Sequence, residues 1–327
     1  MPGATSVMQQ FFCPSKPTFT EKDLPNLKNK VIIVTGSNTG LGKEIARMVY
    51  SKNAKVYMMA RSEEKTQEAI KDIETSLPNS DGELHFIRLD LSDLTSIKQS
   101  VDEFLSREHE LHLLFNNAGV GYPEKGSKTK QGYELQIGVN CLGPFGFTNF
   151  LAPTLVSTAK TSPRGSVRVI WVSSSASEAF SPKGLMEILP KIEEAGEMDK
   201  YSISKLGNYL HATEFAARYK AEGVVSIPLN PGALDSDFWR TQGGITTAIL
   251  RKTVLHPPIY GAYTNIFAAF SPEITLERSG SYIAPWGQFW QVSKDMLDAA
   301  KTEVDGGTGI ARSFWDWSQA QWDGLSA

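Results

Sequence analysis

The segment from residue 31 to residue 42 constrains the fold of this chain more than any other. Residues 31–34 read Val-Ile-Ile-Val, a β-branched apolar run of the kind that forms a buried parallel strand. The turn T-G-S-N-T-G-L-G follows at residues 35–42, and apolar residues then recur at helical spacing up to Val49. A strand, a glycine-rich turn and a helix in direct succession bring unpaired helix N–H groups to the strand end. The segment therefore predicts an anion-binding turn at the start of an α/β fold.

The same alternation continues through most of the chain. Further strands are predicted at residues 54–60, 84–89, 111–115, 167–172, 224–229 and 281–284. Apolar stripes between them predict helices, the longest at residues 132–156 and 200–221. Strands that alternate with helices favour parallel pairing and right-handed crossovers. The predicted fold class is α/β: a single Rossmann-type doubly wound parallel sheet with helices on both faces.

The domain organisation follows from where this alternation begins and ends. Residues 1–28 are polar and contain prolines, so we interpret them as an N-terminal arm rather than a domain. Residues 29–327 are then expected to form a single domain around that sheet. Substrate loops are expected at about residues 176–199 and 234–258, and a C-terminal helical extension from about residue 291.

Composition excludes several classes of function. The net charge of −3 lacks the basic footprint of a nucleic-acid-binding protein, and no apolar run is long enough for a transmembrane segment. The chain has only Cys13 and Cys141, which indicates a reducing compartment and hence a cytoplasmic location. His109 and His112 lie far from other ligand candidates, so we interpret them as structural and predict no metal site.

The glycine spacing in residues 35–42 differs from G-x-G-x-x-G and resembles the T-G-x-x-x-G-x-G pattern of the short-chain dehydrogenase/reductase family. Asn116-Asn117-Ala118-Gly119, which follows a predicted strand, resembles the second signature of that family. The resemblance implies that this segment lies on the adenine-ribose side of a dinucleotide. It also implies an adenine contact for Asp90, although Asp90 beside Ser92 equally fits a helix N-cap.

The choice between NAD and NADP depends on the end of the second strand. An NAD site places Asp or Glu about 20 residues beyond the glycines, where it binds the ribose 2′-hydroxyl. Here Ala60 occupies that place and Arg61 follows. A guanidinium attracts a 2′-phosphate and a carboxylate repels it, so we predict NADP(H) with Arg61 as the phosphate ligand.

Tyr201-Ser-Ile-Ser-Lys205 resembles the Y-x-x-x-K signature of the family. Residues i and i+4 lie on one face of a helix, so the lysine ammonium is expected beside the phenol. A free tyrosine titrates near ~10, and a nearby positive charge should lower that pKa toward neutrality. Tyr201 is therefore the predicted acid/base, and the resemblance implies that Lys205 also binds the nicotinamide ribose.

The resemblance implies two further catalytic residues. Ser174, after an apolar strand, matches the serine that binds the substrate oxygen, with Ser173 as the alternative. Asn140 matches an asparagine that holds a proton-relaying water, and the glycines and proline around it predict a helix kink with a freed carbonyl. The element N-P-G-A-L-D-S at residues 230–236 resembles P-G-x-x-x-T. The predicted cofactor-binding residues are Gly36, Asn38, Thr39, Gly40, Leu41, Gly42, Arg61, Asp90, Leu91, Asn117, Ala118, Gly119, Tyr201, Lys205, Pro231, Gly232, Leu234 and Ser236.

The resemblance is greatest to the branch of retinol dehydrogenases and WW-domain oxidoreductases. It implies that residues 29–327 form a single NAD(P)-binding Rossmann catalytic domain, which transfers hydride between nicotinamide and a carbonyl or secondary alcohol. A homodimer through the helices at residues 132–156 and 200–221 is also possible. Aromatic residues near the C-terminus suggest a bulky apolar or aromatic substrate, although they fit helix packing equally well: Trp286, Phe289, Trp290, Trp315 and Trp317. Two alternatives stay open, a non-redox or coupled biosynthetic reaction and a non-catalytic NADPH-binding scaffold.

Overall fold

The computed structural model describes residues 4–12, 15–235 and 254–325. Within them the strands form one sheet in the order β3-β2-β1-β4-β5-β6-β7-β8. All neighbours pair in parallel except β7 and β8, which are antiparallel. The strands are β1 Val31–Thr35, β2 Lys55–Ala60, β3 Glu83–Arg88, β4 Leu113–Asn116, β5 Val167–Val172, β6 Val224–Leu229, β7 Tyr282–Ala284 and β8 Gln288–Trp290.

Helices cover both faces of this sheet, which confirms the predicted fold class. Alternate residues of β1 serve two separate cores: Ile32 and Val34 belong to one, Val31 and Ile33 to the other. The longer helices are α1 Ala4–Phe12, α2 Gly40–Tyr50, α3 Glu63–Ser76, α4 Leu94–Leu105, α5 Gly143–Thr161, α6 Glu197–Tyr219, α7 Pro258–Phe270, α8 Lys294–Ala299 and α9 Ile310–Asp323.

The long helix predicted at residues 132–156 is interrupted. A single turn at Leu135–Ile137 leads into a π-helical turn, Gly138–Leu142, and only then does α5 begin. The predicted kink is therefore present. Glycine is needed beyond the kink because a Cβ on Gly146 would lie 2.0 Å from the Trp322 ring, which packs directly on the helix.

Three elements differ from the sequence-based expectation. The region predicted as a polar arm contains α1, and the antiparallel strand β8 was not predicted. The expected substrate loop at about residues 176–199 consists largely of short helical turns, from the 3₁₀ turn Ser175–Ala179 to Leu189–Glu194. Turns this short carry no clear apolar period, because none of them extends over enough residues to repeat one.

The C-terminal helices pack against α6 on one side of the sheet. Phe314 and Met296 join a third apolar cluster with Leu206 and Leu210 of α6. Trp315 packs edge-on to Phe145, with ring centroids 4.8 Å apart. None of the helices in the described part of the chain combines the length and apolar character that crossing a bilayer requires.

Candidate active site

A large cleft runs along the carboxyl ends of the parallel strands. Its volume is about 1440 Å³, more than the roughly 300–1,000 Å³ of a pocket for one drug-sized molecule. The predicted site residues that the structure describes line it, except Asn140, which lies directly behind it. The cleft is large enough for a dinucleotide together with a small second molecule.

The glycine-rich turn forms one wall of the cleft and leads into the N-terminus of α2. Gly36 and Gly40 have positive φ values of 65° and 53°, a region that favours glycine. A Cβ on Gly42 would lie 2.3 Å from the carbonyl oxygen of Gly36, so the helix and the turn can approach only because this residue is glycine. Gly40, Leu41 and Gly42, the first residues of α2, line the cleft, so the helix N-terminus lies at the cleft, as binding of a pyrophosphate requires.

The second signature segment is tied to this turn through Thr35. The Thr35 hydroxyl accepts hydrogen bonds from the backbone N–H groups of Asn117 and Ala118, at 3.0 and 2.9 Å. The Asn117 side chain donates to the Thr35 carbonyl at 2.8 Å. Asn117, Ala118 and Gly119 all line the cleft. The structure thus brings the two signatures together at the carboxyl ends of the paired strands β1 and β4.

Asp90 lines the cleft together with Leu91. Its Oδ1 accepts hydrogen bonds from the Ser92 backbone N–H and hydroxyl, at 2.9 and 2.6 Å. The N-cap of α4 is Asp93, not Asp90. The helix-cap alternative for Asp90 is therefore wrong, and the carboxylate closes a local turn at the edge of the cleft.

Arg61 follows β2 directly and lies at the far corner of the cleft, where its side chain is exposed. Ser62 caps α3 by accepting a hydrogen bond from Lys65 N–H at 3.3 Å. Lys43 and Lys65 line the same corner. Asp72 lies there too, but it forms an ion pair with Lys43. Glu68 lines the cleft there as well, so this corner carries three basic side chains against two carboxylates.

Tyr201 and Ser174 meet inside the cleft. Both line it, and the two hydroxyls are hydrogen-bonded. The Lys205 Nζ lies 5.9 Å from the centroid of the Tyr201 ring and donates to the Val172 carbonyl at 2.9 Å. The Ser173 hydroxyl instead donates to the Lys205 carbonyl at 2.7 Å. Of the two serine candidates, Ser174 is thus the one whose hydroxyl is directed to Tyr201.

Burial has the largest effect on how these groups titrate. It raises the pKa of the Tyr201 hydroxyl, which the hydrogen bond with Ser174 offsets in part. The expected fall of that pKa beside Lys205 is therefore wrong for the structure. Burial also lowers the pKa of Lys205 to about 8, because a desolvated ammonium is disfavoured. The lysine charge that would stabilise a phenolate is itself reduced above that pH.

Asn140 lies behind the cleft in the π-helical turn, 1% exposed. Its amide exchanges two hydrogen bonds with the Val120 backbone, at 2.8 and 2.9 Å, and also donates to the Ser204 hydroxyl at 2.9 Å. The backbone carbonyl of Asn140 accepts a hydrogen bond from Asn208 Nδ2 at 2.5 Å. The carbonyl predicted to be freed by the kink thus binds a side chain of α6, one turn beyond Lys205.

The loop after β6 completes the cleft. Pro231, Gly232 and Leu234 line it. The Asn230 side chain holds the loop by accepting a hydrogen bond from Gly232 N–H at 3.0 Å. Ser236, the predicted counterpart of a threonine, lies outside the described residues, as does most of the substrate loop predicted at about residues 234–258.

Comparison with known proteins shows what this combination belongs to. Residues 30–186 match the family model for short chain dehydrogenase. A short-chain dehydrogenase/reductase from Phomopsis amygdali is 50% identical over 313 residues, which cover 94% of each chain. This chain belongs to the short-chain dehydrogenase/reductase family.

Solved structures have the same fold as this short-chain dehydrogenase/reductase. The Pseudomonas aeruginosa RhlG/NADP active-site complex matches with a TM-score of 0.63 and 20% identity, covering 82% of this chain and 97% of that one. The 3-oxoacyl-[acyl-carrier protein] reductase from Brucella melitensis in complex with NAD gives 0.61 and 19%, covering 78% and 94%. One neighbour holds NADP and the other NAD. The family is one of nicotinamide-dependent oxidoreductases, and this chain is accordingly an oxidoreductase.

The C-terminal aromatic residues of this dehydrogenase/reductase do not line the cleft. Trp286 packs beneath Gly232, where a Cβ would lie 2.6 Å from its ring. Phe289 packs on Phe267, and Trp317 stacks on Phe314 with ring centroids 5.5 Å apart. The alternative of helix packing is confirmed for these residues, and the apolar walls of the cleft come from other segments.

Several residues that line the cleft of this dehydrogenase/reductase were not predicted from the sequence. Tyr122 has a φ of 48°, and its ring centroid lies 5.4 Å from that of Tyr201. Val7, Gln10 and Phe11 of α1 also line the cleft. Their spacing of three and four residues could have indicated a helix face. Nothing local indicates where such a helix docks.

Proposed function

We propose that this chain is an NADP(H)-dependent oxidoreductase that interconverts a carbonyl and a secondary alcohol on a bulky apolar or aromatic small molecule. Tyr201 is the acid/base. The observation that carries the proposal is the hydrogen-bonded Tyr201–Ser174 pair beside Lys205, inside a cleft that also contains the glycine-rich turn. A module that only bound the dinucleotide would have no need of that pair.

Ser174, Tyr201 and Lys205 each have a distinct role in the proposed reaction. A bound nicotinamide dinucleotide supplies or accepts the hydride. In reduction the Ser174 hydroxyl donates a hydrogen bond to the carbonyl oxygen of the substrate, which favours the negative charge that develops there. Tyr201 gives its proton to the same oxygen, and its raised pKa keeps it protonated at neutral pH. Lys205, when charged, stabilises the phenolate that remains.

The cofactor would lie along the glycine-rich turn, with its pyrophosphate at the N-terminus of α2. Arg61, with Lys65 beside it, would bind a 2′-phosphate, while Asn117 to Gly119 would face the adenosine half. Pro231 and Gly232 would hold the carboxamide end. The positive-φ glycines and the basic corner of the cleft fit such a molecule.

Arg61→Glu is expected to erode the preference for NADPH over NADH. A hydrogen bond to a charged group contributes about 1.5–3 kcal/mol, so the ratio of kcat/KM values should fall by roughly 10- to 100-fold. Arg164→Glu makes the same change of charge at an exposed site that pairs with Glu277, and it should leave the ratio unchanged. Equal ratios in the two variants would refute the role of Arg61.

NADPH binding is expected to weaken as pH rises through about 8. The lowered pKa of Lys205 means that its ammonium is present below that pH and is lost above it. Losing a charged hydrogen bond to the ribose should raise the Kd by about tenfold. NADPH fluorescence measured between pH 7 and 9.5 tests this. The Lys205→Met variant should bind NADPH weakly, with a Kd that does not change with pH. A wild-type Kd that is equally independent of pH contradicts the assignment.

A homodimer through the predicted helices 132–156 and 200–221 stays a prediction. In the structure α9 lies against α6 and α5, and Trp322 donates to the Leu142 carbonyl at 2.8 Å. A dimer that used this side of α6 would have to displace α9. A cytoplasmic location and the retinol-dehydrogenase-like branch likewise stay predictions.

The most direct experiment follows NADPH oxidation against a panel of ketones and aldehydes, with NADH as the control cofactor. The proposal expects turnover with at least one bulky apolar carbonyl and a preference for NADPH. If no member of the panel is reduced and no secondary alcohol is oxidised with NADP, the proposed function fails.

A further inference from the structure

The N-terminal helix α1 lies at the substrate end of the cleft. Val7 and Phe11 stand one turn apart and line the cleft, and Gln10 between them is only 2% exposed. Met8 and Phe12 point away, 60% and 57% exposed. The helix therefore has an inner face that contacts the cleft and an outer face in solvent, although nothing assigned above to catalysis or cofactor binding belongs to it.

A buried carboxylate anchors this helix. Glu178, 7% exposed, lies in the 3₁₀ turn after Ser174. Its Oε1 accepts hydrogen bonds from Ser6 Oγ at 2.6 Å and Gln10 Nε2 at 2.8 Å. Its Oε2 accepts from Ser293 N–H at 3.0 Å. A buried carboxylate without such donors would be costly, so these contacts hold α1 in one place.

Gln10 also joins α1 to the loop after β6. Its Oε1 accepts a hydrogen bond from Asn230 Nδ2 at 3.0 Å, and Asn230 Oδ1 accepts from Gly232 N–H at 3.0 Å. A chain of hydrogen bonds thus runs from Glu178 through Gln10 and Asn230 to Gly232. Both polar ends of Gln10 bind protein, which makes it a positioning residue rather than a ligand of the substrate.

We infer that α1 is the substrate-side wall of the active site, where Val7 and Phe11 select an apolar group next to the reacting carbon and Gln10 holds them in place. The inference rests on the proposed function and adds the specificity-determining residues to it. Three features carry it: an apolar pair aimed into the cleft, an exposed pair on the opposite face, and an anchor that touches the loops on both sides of the cleft.

Phe11→Ala tests the selection directly. The expected result is a rise in KM of about tenfold or more for a naphthyl ketone, because a buried phenyl contact is lost. The KM for a small ketone such as cyclohexanone should change much less, and kcat and the NADPH Kd should stay close to wild type. Met8→Ala, on the exposed face of the same helix, is the control, because Phe12 is in ring contact with Phe11. Equal effects of the two variants, or an equal rise for both ketones, overturn the selection by Phe11.

An exchange of charge tests the anchor. Gln10→Glu places a second carboxylate against Glu178 and should release α1, which hydrogen exchange of residues 4–12 detects without any substrate. The double variant, Gln10→Glu with Glu178→Gln, again pairs one carboxylate with one amide. It should restore the slow hydrogen exchange of α1 and the low KM for the naphthyl ketone. If α1 exchanges equally in wild type and Gln10→Glu, or the double variant shows no rescue, the docked helix is overturned.

The two arms separate failure of the inference from failure of the proposed function. If the wild-type protein reduces no carbonyl, the proposed function is wrong. Hydrogen exchange still decides in that case whether α1 is docked. A wild-type protein that reduces the naphthyl ketone, with Phe11→Ala indistinguishable from it, sinks only the role of α1 in selecting substrate.

Discussion

Tyr201→Phe is expected to lower kcat for carbonyl reduction by about 10²–10⁴-fold, the range that a positioned general acid contributes. The change removes only the hydroxyl, which is hydrogen-bonded to Ser174, and keeps the ring that faces Tyr122. NADPH should therefore bind with nearly unchanged affinity. Steady-state rates and NADPH fluorescence measure the two effects separately.

Tyr209→Phe is the matched control on the same helix. Tyr209 is also buried, and its hydroxyl donates to the Met296 carbonyl at 3.3 Å, outside the cleft. Losing that hydrogen bond costs about 0.5–1.5 kcal/mol of unfolding free energy but touches no reacting group. Near-normal turnover of Tyr201→Phe would sink the assignment of the acid/base. A loss just as large in Tyr209→Phe would show that the helix, not the hydroxyl, was disturbed.

Gly42→Ala is expected to weaken both the fold and the binding of NADPH. The new Cβ would lie 2.3 Å from the Gly36 carbonyl oxygen and 2.6 Å from Asn117 Nδ2, so α2, the turn or both must move. Overpacking of this kind costs roughly 1–3 kcal/mol of stability. We expect NADPH affinity to fall by at least about tenfold, since the helix N-terminus and the turn bind the pyrophosphate together.

Gly184→Ala provides the comparison for Gly42→Ala. The nearest atom to a Cβ there is a ring atom of Phe180 at 3.8 Å, an ordinary contact. This variant should unfold and bind NADPH like the wild type, as urea titration and fluorescence would show. If Gly42→Ala binds NADPH as tightly as Gly184→Ala, the close approach of α2 to the turn does not matter for the cofactor.

Features formed by residues that lie close together in sequence could be predicted. The strand at Val31 and the turn at Gly36 lie side by side, so periodicity and glycine spacing together indicate both the fold and the cofactor wall. Tyr201 and Lys205 were predictable for the same reason, because helix geometry alone brings them to one face.

The electrostatics of the same pair could not be predicted from spacing. The pKa of Tyr201 depends on burial, and burial depends on what packs around it, including Tyr122. A spacing of four residues indicates that Lys205 is near, but not that its Nζ binds the Val172 carbonyl. The predicted direction of the tyrosine pKa was wrong because desolvation has the larger effect.

Asn140 illustrates an intermediate case. The glycines and proline around it correctly predicted an interrupted helix, since they are poor residues for a helix interior. The partner of its carbonyl, Asn208, lies 68 residues away on α6. No local pattern marks Asn208, so the kink could be predicted and its partner could not.

The anchor of α1 has a consequence for how the protein is made. Ser6 and Gln10 are synthesised well before their partners: Glu178 lies 168 residues after Gln10, Asn230 lies 220 after it, and Trp290, which donates to Ser6 Oγ, lies 284 after Ser6. At about 5–20 residues per second, the helix waits roughly 15 to 60 seconds for the last of them. The contacts of α1 are therefore complete only after β8, which contains Trp290, has been synthesised, and until then the nascent cleft is open on the side that α1 covers.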